Sequence, residues 1–323
     1  MLKRWIVGTA VICAVTATLA AAAPAESLSD EYAVWVDQLN FRAAPAADAK
    51  VLVVLERGAR VRDLGSEIRT AGEQEWREVT AARGEAGWVA DRYIIPAAVY
   101  DDFAQADALG RGGDAAAMVE EIATVNKRRG RDGRVTTSPD GRQVIVEVAG
   151  MGEAWGYRYM FGPVLHFAAG QGLANYLGTS PWVGGTWSPD SRWLVYGGGP
   201  VYSGGFSAYD AEACGFRGLG AVKNGSYEFF GGYLVWYRLE AASQAWPAAL
   251  AGFMIPSLVA TDLPSGKTIT LLQPDAASAR RAENRNYYEV KLVPVTDVPA
   301  TLEGAPLFRE YKNKFVPVYE PDA

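Results

Sequence analysis

Gly185-Thr-Trp-Ser-Pro-Asp-Ser-Arg192, running straight into Trp193-Leu-Val-Tyr196, is the stretch on which the reading of the fold turns. Pro189 fixes φ at a turn position, Asp190 can bond back to the backbone, and Ser191 completes the turn. The apolar segment that follows reads as a strand through the core of a sheet. Fifty residues earlier the same pattern stands in Val135-Thr-Thr-Ser-Pro-Asp-Gly-Arg142, ahead of Val144-Ile-Val-Glu-Val148. Self-similarity at that spacing marks a repeat architecture. A third, weaker unit runs through Gly225-Ser-Tyr-Glu-Phe-Phe-Gly-Gly-Tyr-Leu-Val-Trp236, and Asp262 to Leu272 reads as its closing hairpin. Phe206-Ser-Ala-Tyr-Asp210 takes the equivalent place in the second unit, and residues 286–295 supply one more strand. In residues 141–240, 21 of the 35 glycines separate short apolar strands, and helix signals vanish.

The pattern W-S-P-D-G/S-R-x-L-V-Y resembles the blade signature of WD40-like and TolB-type β-propellers. A blade needs ~40–50 residues and a closed ring typically 4–8 blades. Residues 131–300 hold three, or four at most. The resemblance therefore implies a partial or small propeller-like β domain, with the tail at residues 301–323 folded back over it to cover an edge. The tryptophans and tyrosines of this region read as blade core, with sugar-stacking platforms as the alternative.

Residues 31–96 read differently, as about five short strands with turns between them, which suits a small closed barrel that hides its edges. Tyr32-Ala-Val-Trp35, Val51-Leu-Val-Val-Leu55, Trp76-Arg-Glu-Val79 and Gly87-Trp-Val89 are its clearest strands. Leu39-Asn-Phe-Arg42, Pro45, Gly58-Ala-Arg-Val61, Trp76-Arg-Glu-Val79, Gly84-Glu-Ala-Gly-Trp-Val89 and Tyr93-Ile94 together resemble a bacterial SH3 domain, departing from it in a longer loop at Ser66 to Glu75. That family is known for contacts with cell-wall peptides and also for purely structural spacers. The resemblance marks Asn40, Arg42, Trp76, Trp88 and Tyr93 as the ligand-binding candidates. Arg42 could pair a peptide carboxylate. For Trp76 and Trp88 the competing reading is barrel core, because both sit within apolar alternation.

Between barrel and array, residues 100–130 form a helical connector. Asp101 to Leu109 reads as a short helix stopped at Gly110. Asp114 stands as an N-cap before a second helix, whose Met118, Ile122 and Val125 share one face. That face is expected to pack on a neighbouring domain. The basic cluster from Lys127 to Arg134 reads as helix C-terminal cations and solvated loop. Residues 1–25 have the basic start, apolar run and small-residue end of a secretory signal. A membrane contact follows only if that leader stays uncleaved. Without Lys3 and Arg4, 29 basic residues face 37 acidic ones, which argues against nucleic-acid partners. The remaining composition, 49% hydrophobic and 21% charged, is that of a globular chain.

Outside the leader the chain has one cysteine, Cys214, and one histidine, His166. That scarcity removes the usual zinc and cysteine wall hydrolases, and no Gly-x-Ser-x-Gly elbow or phosphate loop is present. Neither metal nor cofactor is expected. Cys214 reads as a buried free thiol, and His166 as a half-buried strand residue. Asp140, Asp190, Asp210 and Asp262 could serve a two-carboxylate glycosidase, but each sits in a turn pattern that explains it. The chain thus reads as mainly β: a small SH3-like barrel, a helical joint and a propeller-like array. The function expected is an exported, non-enzymatic adaptor of the periplasm or cell envelope that contacts peptidoglycan peptides or an envelope protein. A structural or assembly protein without wall binding is the first alternative, and a carboxylate-dependent wall glycosidase the second.

Overall fold

The computed structural model describes residues 30–128, 135–148, 162–180, 185–197, 205–242, 246, 250, 253–282 and 287–318. The segment read as a secretory leader lies outside them, as does the part of the basic cluster beyond Arg128. The N-terminal unit comprises β1 (Glu31–Val34), β2 (Gln38–Arg42), β3 (Val51–Glu56), β4 (Arg60–Asp63), β5 (Arg69–Ala71), β6 (Gln74–Ala81), β7 (Ala86–Ala90) and β8 (Ile94–Pro96). They pair in the order β3-β2-β7-β6-β4-β1-β8, with β5 on β6. The sheet curls around Val34, Leu39, Phe41, Val61, Val79, Val89 and Ile94. Gly87 is required where strands cross closely, since a Cβ there would lie 2.6 Å from the Phe41 ring and 2.7 Å from the Arg42 carbonyl oxygen. The closed barrel expected from the sequence is open on one side. β3 pairs only with β2 among the described residues, and both of its faces are exposed.

Two helices follow, α1 (Ala97–Arg111) and α2 (Ala115–Arg128). The Asp114 carboxylate caps the second by accepting the Ala117 N–H at 3.0 Å. Met118, Ile122 and Val125 are buried, as their spacing implies. α1 begins earlier than the sequence suggested and runs through Gly110. That glycine is there for contact and not for termination: a Cβ on it would meet Gly172 Cα and Met118 Sδ at 2.7 Å.

The first repeat unit is β9 (Val135–Thr137), β10 (Gln143–Glu147), β11 (Gly162–Ala168) and β12 (Gly172–Ser180), an antiparallel meander. Val144, Val146, Leu165 and Phe167 point into a core shared with Trp35 and Ile95 of the barrel and with Val99, Phe103, Met118 and Ile122 of the helices. Ile145 and Val164 point the other way, against Trp187, Leu194 and Tyr209 of the second unit. A strand buried on both faces accounts for the uninterrupted apolar run Val144-Ile-Val146.

The second unit is β13 (Gly185–Trp187), β14 (Trp193–Gly197), β15 (Gly205–Asp210) and the long β16 (Gly215–Phe230). β16 pairs β15 through residues 215–221 and, from Val222 onward, pairs β17 (Tyr233–Ala241), with a register shift between Val222 and Tyr227. β18 (Met254–Thr261) and β19 (Thr268–Arg281) complete the third unit, and β19 turns the same kind of corner, from β18 to β20 (Tyr288–Pro294). The tail folds back: α3 (Pro306–Tyr311) buries Phe308 in the last core, and β21 (Phe315–Pro317) pairs β20. The result is a mainly β chain whose C-terminal part is an open, propeller-like array.

The two Ser-Pro-Asp turns are bonded alike. Ser138 Oγ donates to Asp140 Oδ1 at 2.6 Å and accepts the Gln143 N–H at 2.9 Å, while Arg142 N–H reaches the same carboxylate at 3.0 Å. In the second copy Ser188 Oγ donates to Asp190, accepts Trp193 N–H at 2.8 Å, and Arg192 N–H bonds Asp190 Oδ1 at 3.2 Å. The turns also touch: Asp140 N–H donates to Ser191 Oγ at 3.1 Å, which gives the hydroxyl at the position of Gly141 a use. Ser191 keeps φ at 64°, close to the 72° of Gly141. Ser188→Ala, at a buried position, is expected to lower stability by about 1–2 kcal/mol, read as a lower urea midpoint. An unchanged midpoint would show that the turn does not depend on this hydroxyl.

A candidate ligand groove on the barrel

β2 alternates strictly. Leu39 and Phe41 enter the barrel core, Asn40 is exposed, and Arg42 is half-buried on the Asn40 side. Trp76 lies on β6 opposite Ala90 of β7, and Tyr93 closes the short 3-10 turn Asp91–Tyr93 after β7. Between them opens a groove of about 380 Å³ whose walls include Gln38, Asn40, Arg42, Gln74, Trp76 and Tyr93. Arg42 Nη1 donates to the Ala49 carbonyl at 2.7 Å, so one arm of the guanidinium holds the β2–β3 loop. Tyr93 stands 6.1 Å from the Trp35 ring, with the Arg92 guanidinium 4.5 Å above its own ring.

The fold thus brings together four of the five residues singled out in the sequence. Trp88 lies opposite Arg42 across β2 and β7 but does not line the groove. It is 6% exposed, packs with Trp76 and Ala90, and is covered by the Arg69 guanidinium 4.9 Å from its ring. Trp76 is only 4% exposed, so it floors the groove and offers no open stacking platform.

Two further hollows lie in the array. One, about 200 Å³, is lined by Pro189, Trp193, Phe229, Phe230, Tyr233 and Leu263 among others. Its neighbour, about 370 Å³, holds Arg217 and Arg238 beside Thr261, Ser265 and Thr268. The sequence did not single out either arginine, because a charge alternating on an exposed strand looks like any solvated side chain. In place Arg217 donates to the Pro264 carbonyl and Arg238 pairs with Glu240.

The residues considered for catalysis are occupied structurally. Asp140, Asp190 and Asp262 accept bonds within their own turns, and Asp210 takes the Arg192 guanidinium and the Glu212 and Ala213 amides. Burial pushes the Asp140 and Asp210 carboxyls up, but these donors outweigh it and hold both below the usual 3.8. His166 is fully buried, deeper than its sequence context implied. Cys214 corrects the sequence reading the other way: it is half-buried in the β15–β16 turn, with φ at 51°. Among the described residues no group of three or more His, Cys, Asp or Glu side chains is placed to hold a metal ion. No helix among them is long and apolar enough to cross a membrane.

No protein-family model matches the chain, and no curated protein matches it. Several solved structures align at low similarity. The β-propeller domain of the Trilobed protease from Pyrococcus furiosus shares 10% identity over 83% of this chain and 73% of its own, with a TM-score of 0.29. TolB from Acinetobacter baumannii shares 10% identity over 82% of this chain and 62% of its own, with a TM-score of 0.26. A putative TolB from Agrobacterium tumefaciens shares 11% over 74% and 86%, with a TM-score of 0.24.

Proposed function

We propose that the protein is an exported, non-enzymatic adaptor of the bacterial cell envelope, whose barrel groove receives a short peptide bearing a free carboxylate, such as a peptidoglycan stem peptide. The groove carries this reading. It joins a cation (Arg42), an amide (Asn40), an aromatic floor (Trp76) and an aromatic edge (Tyr93) in one concave surface. Those are the elements that a small polar peptide needs: a charge-assisted bond for its terminus and amphipathic walls for its side chains. The propeller-like array, with its two hollows, serves as the face for a protein partner.

The test is co-sedimentation of the folded protein with purified peptidoglycan. Arg42→Ala is expected to weaken binding about tenfold, the equivalent of losing one hydrogen bond to a charged group, with an unchanged far-UV spectrum. Absence of wild-type binding would remove the wall ligand, and full binding by the folded variant would remove Arg42 from the site. A second reading, a structural part without wall binding, is favoured by one observation: barrel, helices and first unit share a single core around Trp35 and Phe103. It requires that groove variants change nothing but stability.

A further inference from the structure

The hollow of about 370 Å³ at the seam of the second and third repeat units has more hydrogen-bond donors than acceptors. Arg217 lines it from the part of β16 that pairs β15, Arg238 from β17, and Thr261 and Thr268 from the paired ends of β18 and β19. Trp236 Nε1 donates to Thr261 Oγ1 at 2.9 Å, and the Thr261 and Thr268 hydroxyls bond each other at 2.9 Å. Three protons serve two bonds, so whichever hydroxyl donates to the other, one O–H proton is left over. Arg238 Nε is buried and has no partner among the described residues. Its cross-strand neighbour Ser257 is 6% exposed, and that hydroxyl is likewise without a partner among the described residues.

The guanidiniums keep most of their charge for the hollow. Arg238 Nη2 bonds Glu240, whose own side chain is 57% exposed. Arg217 Nη2 donates to the Pro264 carbonyl at 3.2 Å, and the residue meets no carboxylate among the described residues. The adjoining turn makes room for it: Gly266 has φ at 76°, and a Cβ there would collide with Arg217 Nη1. Ser265 Oγ is occupied within that turn, donating to Asp262 and accepting the Lys267 N–H. Neither Asp262 nor Glu240 lines the hollow. The chain as a whole carries a net charge of −6, so the attraction for an anion is local. A buried donor without an acceptor is costly, and an oxyanion offers charged acceptors to both guanidiniums at once. Donors on three elements suit a tetrahedral oxyanion, with lone pairs on every side, better than a planar carboxylate.

We propose that this hollow binds a phosphate-type oxyanion, as the free ion or as a small phosphate monoester, on Arg217, Arg238 and the Thr261–Thr268 hydroxyl pair. The site gives one hollow of the array to a small anion and leaves the other to a protein partner. It stands whether or not the barrel groove binds peptide.

Calorimetric titration of the purified protein with sodium phosphate tests it, in Tris buffer with ionic strength held constant by sodium chloride. Saturable binding is expected, about tenfold or more tighter than that of acetate. Arg238→Gln and Arg217→Gln should each weaken it about tenfold, the loss of one charge-assisted bond. Arg238→Lys keeps the charge but lacks Nε, and should weaken it as well. Arg128→Gln, which removes an exposed cation on α2, should not. Circular dichroism checks that each variant is folded. Glycerol 3-phosphate distinguishes the source: tighter binding than inorganic phosphate assigns the site to a monoester, weaker binding to the free ion. No saturable phosphate binding by the wild type would mean that water satisfies these donors. Folded arginine variants that bind as well as the wild type would place the anion elsewhere. Either result, or acetate bound as tightly as phosphate, overturns the proposal.

Discussion

Asp107→Ala is expected to destabilise the protein by about 3 kcal/mol, the low end of what removing one member of a buried ion pair costs. Asp107 is 2% exposed, on α1. Its Oδ1 accepts Arg57 Nη1 from the barrel at 3.1 Å and the Leu173 backbone N–H from the first repeat unit at 2.7 Å. Its Oδ2 faces Arg111 Nε at 3.5 Å. One carboxylate therefore ties three parts of the chain. Deleting it leaves the buried Leu173 amide without an acceptor, worth about 1–3 kcal/mol. It also leaves Arg57, whose side chain is 13% exposed, with only the outlying Asp37 for an ion-pair partner among the described residues. The local backbone is built around this contact. Gly172 has φ at 71°, and a Cβ there would sit 2.3 Å from Asp107 Oδ1. Asp107→Asn keeps the acceptor and loses the charge, so it should fall between wild type and alanine. Urea unfolding followed by tryptophan fluorescence measures all three, and hydrogen exchange at the Leu173 amide localises the effect. A cost under about 1 kcal/mol for the alanine variant would mean that the three parts are joined by apolar packing alone.

The sequence disclosed this structure where the cause was local and hid it where the cause was distant. The Ser-Pro-Asp turns were legible because each closes within five residues on its own hydroxyl and carboxylate. The α2 face was legible because Met118, Ile122 and Val125 keep helical spacing. Asp107 was not, since in sequence it is one of several acids in a polar stretch, and only the fold brings Arg57 and Leu173 to it. β3 misled for a related reason. A run of Val and Leu reads as a covered strand, yet pairing order, which no local pattern encodes, leaves it at an edge. Gly110 misled too, because a glycine needed for close approach and a glycine that ends a helix look alike. In the groove, Asn40, Arg42, Trp76 and Tyr93 were singled out only through a resemblance to a family motif. Trp88 shares that motif but is buried against Trp76 and Ala90, under Arg69. Arg217 and Arg238 had no motif to point to them.

A second large effect is expected from pH, through His166. The residue lies at the seam of the first and second units. Gln143 Oε1 can only accept, so His166 Nε2 carries the proton and donates to it at 2.7 Å, and Nδ1 accepts the Tyr209 hydroxyl at 3.0 Å. Tyr209 in turn accepts from Asn175 Nδ2 at 3.2 Å. The chain of bonds suits a neutral imidazole and has no place for a second ring proton. Burial lowers the pKa of His166 from 6.5 to about 4. The unfolded chain therefore takes up a proton near pH 6.5 that the folded protein refuses until about pH 4. Stability is full above pH 6.5 and falls as pH drops through that window, by a total of roughly 3 kcal/mol. The Asp140 and Asp210 contributions, with pKa values held below 3.8, are lost only at lower pH, so the two windows separate. His166→Gln should flatten the curve between pH 6.5 and 4 while leaving the acid limb in place. Tyr209→Phe, which strands Nδ1 without its donor, should cost about 1–3 kcal/mol at neutral pH. Urea midpoints collected from pH 4 to 8 decide the matter. A wild-type curve flat over that window, or a His166→Gln curve as steep as the wild type, would show that His166 is not the group that couples this seam to protons.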